Sequence, residues 1–283
     1  EEVPNVEIPV GISGTGGGFK RFAKGDTDIS DASRPIKLAE LEECRKHQVA
    51  FYELPIAYDG LTIAVHKKNS WVKQLTVQQL SQIFLADSAI QTWDQLDPSW
   101  PKEKIMIFSP GTDSGTFDYF KEVVAGAEGS IRADISVSED DNNLVQAIAN
   151  TEMSIGFFGV AYYLENKSKL RAVPIVNTEG KAVLPNVESI GNGSYAPFSR
   201  PLFIYVNAKS ARRPEVRQFV KFYLENAEEL ADEVGYVGLP ERVYEQAKDR
   251  FQNRKIGTHY LDTDNKPRHG AIENLYVEKN LRQ

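Results

Sequence analysis

The chain has 283 residues, with 33 Lys and Arg against 40 Asp and Glu for a net charge of −7, and is 41% apolar and 26% charged. That balance is globular rather than disordered, its acidity excludes a general nucleic-acid binder, and no apolar run approaches the roughly 18–20 residues of a membrane span. One cysteine, Cys44, excludes a disulfide-stapled scaffold and any Cys-cluster metal site.

In chain order, Val6 to Ile12 (VEIPVGI) reads as a strand ending in glycines, and Gly18 to Lys24 as a short helix. Lys37 to His47 is helical by the spacing of Leu38, Leu41 and Cys44. Phe51 to Ala57 and Leu61 to His66 read as two strands. Thr76 to Leu85 sets Val77, Leu80, Ile83 and Phe84 on one helical face, with Thr76 as the N-cap. Lys104 to Phe108 is strand-like, Thr116 to Val124 and Asn142 to Asn150 are helical, and Ser154 to Phe158 is a short strand. Leu202 to Val206 is a buried type of strand, Pro214 to Gly235 a long helix, and Arg242 to Phe251 another. Alternation of this kind implies α/β sheets with helices on both faces. No repeat or low-complexity block interrupts it. The strands at 61–66 and 202–206 end in similar polar exits, VHKKNS and VNAKSA, which suit a pair of crossovers between two lobes. The expected division is 1–65 plus 207–283 for one lobe and 66–206 for the other.

Three segments place glycine and hydroxyl residues between a strand and a helix: Ser13 to Phe19, Asp28 to Pro35 and Gly111 to Phe117. Helix starts of this kind present unpaired amide donors and the positive end of the helix dipole to an anion. Any one of them alone reads as a turn. Three together, one with an embedded Arg34, predict a shared anion site.

Enzyme motifs fail. The glycine run lacks the Lys-Ser/Thr of a P-loop and is not G-x-G-x-x-G, and no G-x-S-x-G elbow occurs. Asp113-Ser114-Gly115-Thr116 matches the aspartic-protease D-S/T-G, but that chemistry needs a second carboxylate, and no second copy exists. His47, His66, His259 and His269 lie in polar stretches without ligand spacing, so they are expected at the surface, with no metal and no cofactor.

The segments SGTGGGFKRF (13–22), GDTDISDASRPIK (25–37), ELPIAYDGLTIAV (53–65), LTVQQLSQIF (75–84), DSGTFDYF (113–120), SEDDNNLVQAI (138–148), IGFFGVAYY (155–163) and SRPLFIYVN (199–207) together resemble the phosphate-binding proteins of ABC phosphate importers, the PstS family, and more closely its SphX-like branch. The resemblance implies a two-lobed type II periplasmic-binding-protein fold, with two α/β lobes joined by two hinge crossovers and closing on one phosphate. It implies a periplasmic or extracytoplasmic monomer, surface-anchored forms included, that delivers phosphate to the membrane permease of an importer.

Position by position, Ser13, Gly14, Thr15 and Gly16 fall where the family supplies hydroxyl and amide donors from the first lobe. Asp31 falls at the family's acidic acceptor, and Ser114, Gly115 and Thr116 match its Ser-Gly-Thr. Two departures stand out. The better-known form reads R-x-D-G-S-G-T, whereas here Pro110 stands at the Arg and Thr112 at the Asp. The missing positive charge is then expected from Arg34, which would also hold Asp31 ionised. Family members also begin with a further strand and a Gly-Ser-Thr loop ahead of residues 6–12. The chain opens at Glu1 rather than Met, so a processed or trimmed product is expected and a secreted origin stays open.

Asp31 has a clear chemical use. Phosphate near neutral pH keeps a proton that a carboxylate can accept, whereas sulfate would offer only lone pairs. Alternatives are a sensor or scaffold with the same site and no transport role, a sulfate or molybdate receptor, which Asp31 disfavours, and an enzyme built around Asp113 or Asp31.

Overall fold

The structure is a computed structural model, and it describes residues 6–11, 13–112, 114–126 and 128–283. Helix α1 (Thr15–Phe22) leads to strand β1 (Ile29–Ala32), helix α2 (Leu38–Lys46) and strand β2 (Phe51–His66). Strand β3 (Leu75–Thr76), helix α3 (Val77–Phe84), strand β4 (Met106–Pro110) and helix α4 (Gly115–Ala125) follow. Next come β5 (Ser136–Ser138), α5 (Asp141–Ala149), β6 (Ser154–Gly159), α6 (Val160–Glu165), β7 (Leu170–Ala172), β8 (Ile175–Val176), β9 (Ala182–Val183) and α7 (Val187–Gly191). Strand β10 (Ser199–Asn207) and helices α8 (Pro214–Glu233), α9 (Glu241–Gln252) and α10 (Ile272–Leu275) complete the chain.

The chain divides into two compact units. Glu1–Tyr58, Pro201–Val234 and Gly238–Gln283 form the first; Asp59–Arg200 with Gly235–Val237 form the second. The chain passes between them inside β2 and β10, ahead of the 65/66 and 206/207 boundaries drawn from the polar exits of those strands, and again on either side of Gly235–Val237. A polar exit marks where a strand meets solvent; the change of unit follows a change of neighbours.

In the first unit, β1 runs antiparallel to the end of β10, with Asp31 opposite Ile204. Phe19 and Phe22 of α1 pack on Phe51, Phe203 and Tyr205, and Leu41 and Cys44 of α2 join the same core. In the second unit, β2 pairs antiparallel with β6, and β4 lies parallel to both β6 and β5. Phe120 of α4 stacks on Phe157 at 3.8 Å between ring centroids, which seats α4 on this sheet. Phe157 and Phe158 are fully buried.

Two strand expectations change. Residues 51–57 and 61–66 form one strand of 16 residues, because Gly60 makes no turn. A Cβ at Gly60 would lie 2.8 Å from Ile190 Cδ1, so the glycine admits a close contact. Val6 to Gly11 form no strand, and Ile12 lies outside the described residues. Val6, Ile8 and Val10 are 39%, 53% and 78% exposed, and among the described residues no strand pairs with them. Alternation without a partner leaves backbone groups to water.

The Thr76 cap is as read. Its Oγ1 accepts from Gln79 N at 3.1 Å, and Gln79 Oε1 accepts from Thr76 N at 3.0 Å. Thr76→Ala is expected to lower stability by about 1 kcal/mol, measured by urea unfolding. Among the described residues no helix is long and apolar enough to cross a membrane.

Candidate functional site

In the first unit the site is built on the start of α1. Gly14 is its N-cap in extended conformation, and the first turn carries no acidic residue. The buried rings of Phe19 and Phe22 fix the helix on its sheet. Gly18 lets α1 approach β1: an added Cβ would sit 2.8 Å from Ser30 Oγ and 3.8 Å from the Asp31 carbonyl. Gly14 differs, since a Cβ there meets nothing within 4 Å among the described residues. Its surface is open to a ligand, and packing does not demand glycine.

Thr15 ties the helix start to the segment after β1. Its Oγ1 accepts from Ser33 N at 3.1 Å and shares a hydrogen bond with Ser33 Oγ at 3.1 Å. Strand alternation buries Ser30 and Ala32 and turns Asp31 to the accessible face. Enough protein surrounds Asp31 that desolvation raises its carboxyl pKa, although the side chain stays open to solvent. Among the described residues no donor reaches that carboxylate. The structure thus groups Ser13, Gly14, Thr15, Gly16 and Arg34 around one helix start, with Asp31 on the adjoining strand β1, its side chain on the face opposite Ser30.

The expected Arg34–Asp31 pairing is corrected. Arg34 makes a two-pronged ion pair with Glu40, Nη1 to Oε2 at 2.9 Å and Nη2 to Oε1 at 2.7 Å. Nη1 also donates to the Pro35 carbonyl at 3.1 Å, and the guanidinium lies over the Phe19 ring, 5.4 Å from its centroid. Glu40 wins because it stands in the first turn of α2, where its Oε2 also accepts from Lys37 N at 2.8 Å. The charge of Asp31 is therefore not set by Arg34.

In the second unit Ser114, Gly115 and Thr116 form the start of α4. Ser114 is the N-cap, its Oγ accepting from Thr116 N at 3.2 Å. Gly115 is exposed, and a Cβ there would meet nothing within 4 Å among the described residues. Asp113, the acid of the protease-like match, lies outside the described residues. One turn on, Tyr119 donates from Oη to the Pro197 carbonyl at 2.6 Å. Arg200 lies over the Tyr119 ring at 3.7 Å and meets Asp59 Oδ2 with Nη2 at 3.0 Å. Burial raises the Asp59 pKa, and Arg200 opposes that shift.

Arg200, Asp59, Glu40 and Ser33 were missed as functional candidates. The available signal was a Ser-Arg-Pro triplet at both 33–35 and 199–201, each arginine followed or preceded at a distance by an acid. Two of the histidines also depart from the expected exposure: His66 and His259 are buried. His66 Nδ1 accepts from Lys68 N at 3.1 Å, closing a local turn.

Comparisons with known proteins place the chain in a family. A model of the PBP superfamily domain matches residues 1–227. Protein SphX of Synechococcus elongatus is 49% identical over 256 residues, covering 90% of this chain and 75% of the relative. The chain belongs to the SphX and PstS family of the PBP superfamily. Its fold is accordingly the two-lobed α/β fold of periplasmic binding proteins. Phosphate-binding protein PstS of Staphylococcus haemolyticus is 42% identical over 253 residues, covering 89% of this chain and 77% of the relative. A crystal structure described as a possible phosphate binding protein from Planctomyces limnophilus shares 40% identity, with 89% of each chain covered and a TM-score of 0.86. The PstS relative and the Planctomyces limnophilus structure are named for binding phosphate. Helix α9 and the segment after it lie beyond the residues that the superfamily model matches.

Proposed function

We propose that the chain binds inorganic phosphate with high affinity and hands it to the permease of an ABC importer, as an extracytoplasmic monomer without enzymatic activity. The starts of α1 and α4 are each read as offering donors to phosphate. Ser13, Thr15, Ser114 and Thr116 offer hydroxyls, Gly14, Gly16 and Gly115 offer amides that a ligand can approach closely, and Arg34 offers an oriented guanidinium. The observation that carries the reading is Asp31. An accessible carboxylate beside an anion-binding helix start repels an anion unless the anion brings a proton to share. Phosphate does so, and sulfate does not. The names of the PstS relatives support the same ligand.

Calorimetric titration with phosphate, arsenate and sulfate tests the reading, with tight phosphate and weak sulfate binding expected. The cap role of Ser114 allows a sharper experiment. Ser114→Ala removes the cap as well as the hydroxyl and is expected to cost about 1 kcal/mol of stability, whereas Ser114→Gly keeps the cap to within a few tenths. Ser114→Gly should therefore weaken phosphate binding roughly tenfold, as expected for one lost hydrogen bond to a charged ligand, at a nearly unchanged unfolding midpoint. Wild-type affinity in Ser114→Gly would reduce Ser114 to a helix cap.

A further inference from the structure

The triplet Ser-Arg-Pro occurs at 33–35 and again at 199–201, with its arginine in the first unit and then in the second, and is too short to register as a sequence repeat. The surroundings of the two arginines correspond. Arg34 lies over Phe19, the fifth residue of α1, and Arg200 over Tyr119, the fifth residue of α4. Each guanidinium is held by a carboxylate from its own unit, Glu40 for Arg34 and Asp59 for Arg200. Each aromatic residue stands one turn inside a helix whose first residues form a half-site. Side chains on a helix lean toward its N-terminus, so a ring at the fifth position covers the first turn.

We propose, resting on the phosphate-binding reading, that the two triplets are one clamp used twice, and that Arg200, aimed by Asp59 onto Tyr119, is a positioning residue for the phosphate-gripping start of α4. A planar guanidinium suits the role, because it can face a ring while its edge engages a carboxylate. The two arginines differ in reach. Nη2 of Arg34 lies 3.9 Å from where a Gly16 Cβ would be, at the helix start itself. Arg200 has Glu122 as its other acidic neighbour, 4.0 Å away and further along α4. Arg34 therefore both touches the ligand and clamps, while Arg200 acts on the ligand only through α4.

Arg200→Lys tests the clamp. Lysine keeps the charge beside buried Asp59 but has no plane to lay on the ring. Phosphate affinity is expected to fall roughly tenfold, within the range for a lost cation–π contact, with an unfolding midpoint close to that of the wild type. Tyr119→Phe keeps the ring and should bind like the wild type, whereas Tyr119→Leu should lose as much affinity as Arg200→Lys. The double variant Arg200→Lys/Tyr119→Leu should bind no worse than Tyr119→Leu alone, because both changes remove the same contact. Wild-type affinity in Arg200→Lys, or losses that multiply in the double variant, overturns the clamp while leaving phosphate binding standing. A wild-type chain that takes up no phosphate overturns both.

Discussion

Replacing Asp31 with Asn is expected to remove most of the preference for phosphate over sulfate. An ionised carboxylate can only accept hydrogen bonds, so beside a bound anion it selects the anion that still carries a proton. The Asn side chain can donate to a sulfate oxygen as readily as it accepts from a phosphate hydroxyl. The change in preference should be roughly 10- to 100-fold, the cost of one unpaired polar group at the site. The same logic makes the preference depend on pH. Burial raises the Asp31 pKa above its ordinary 3.8, so acidification neutralises this carboxyl before most others. Once neutral it donates to sulfate, and sulfate competition should strengthen as pH falls through that raised value. In Asp31→Asn the competition should lose this dependence. The sign for stability runs the other way. A raised carboxylate pKa favours the folded state at low pH and disfavours it once the group ionises, so Asp31→Asn should be slightly more stable than the wild type at neutral pH. Competition calorimetry between pH 4 and 8 decides the matter. An unchanged phosphate-over-sulfate ratio in Asp31→Asn would remove Asp31 from the specificity mechanism.

What could be read from the sequence depended on how local its cause was. Thr76 and Gln79 sit three residues apart and announce the start of α3 by themselves. Pro214 opens α8 for the same reason. The three glycine-and-hydroxyl turns could be read because helix starts have local chemistry, and two of them do begin helices. Gly60 misled because it looks like a turn, and its true cause, Ile190, lies far along the chain. The partner of Arg34 misled in another way. Asp31 is nearer in sequence, but a strand turns alternate side chains to opposite faces, while the first turn of α2 delivers Glu40 to the guanidinium. The clamp on α4 was invisible because Asp59, Tyr119 and Arg200 come from three distant segments. Burial of His259 was hidden likewise, since its partners lie at 53 and 250.

Those partners form the buried network on which the first unit depends, and Glu53→Gln is expected to destabilise the protein by about 3 kcal/mol, the cost of breaking a buried charge network. Glu53 is fully buried and accepts from Tyr205 Oη at 2.9 Å, Thr258 Oγ1 at 2.6 Å and His259 N at 2.8 Å. Arg250, also buried, lies 2.8 Å from His259 Nδ1 and faces the Tyr276 ring. Glu53 and Arg250 balance one another with a neutral His259 between them. A Gln side chain has one acceptor oxygen where the carboxylate has two, and it leaves the Arg250 charge uncompensated. The network also reaches the candidate site, because Tyr205 Oη accepts from Ile36 N at 2.9 Å, two residues after Arg34. Urea unfolding should therefore show the loss, and phosphate affinity should weaken less than stability. Burial lowers the His259 pKa from its ordinary 6.5, against the opposing pull of Glu53. The unfolded chain then binds the extra proton first, so stability contributed by this residue is present above pH 6.5 and drains away as pH falls toward the lowered folded value. His259→Asn should flatten that part of the stability curve between pH 7 and 5. A wild-type curve and a His259→Asn curve of equal slope across that range would mean that His259 takes up its proton in the folded protein as easily as in the unfolded one, which a residue wedged between Arg250 and the fully buried Glu53 can do only if the network opens to water.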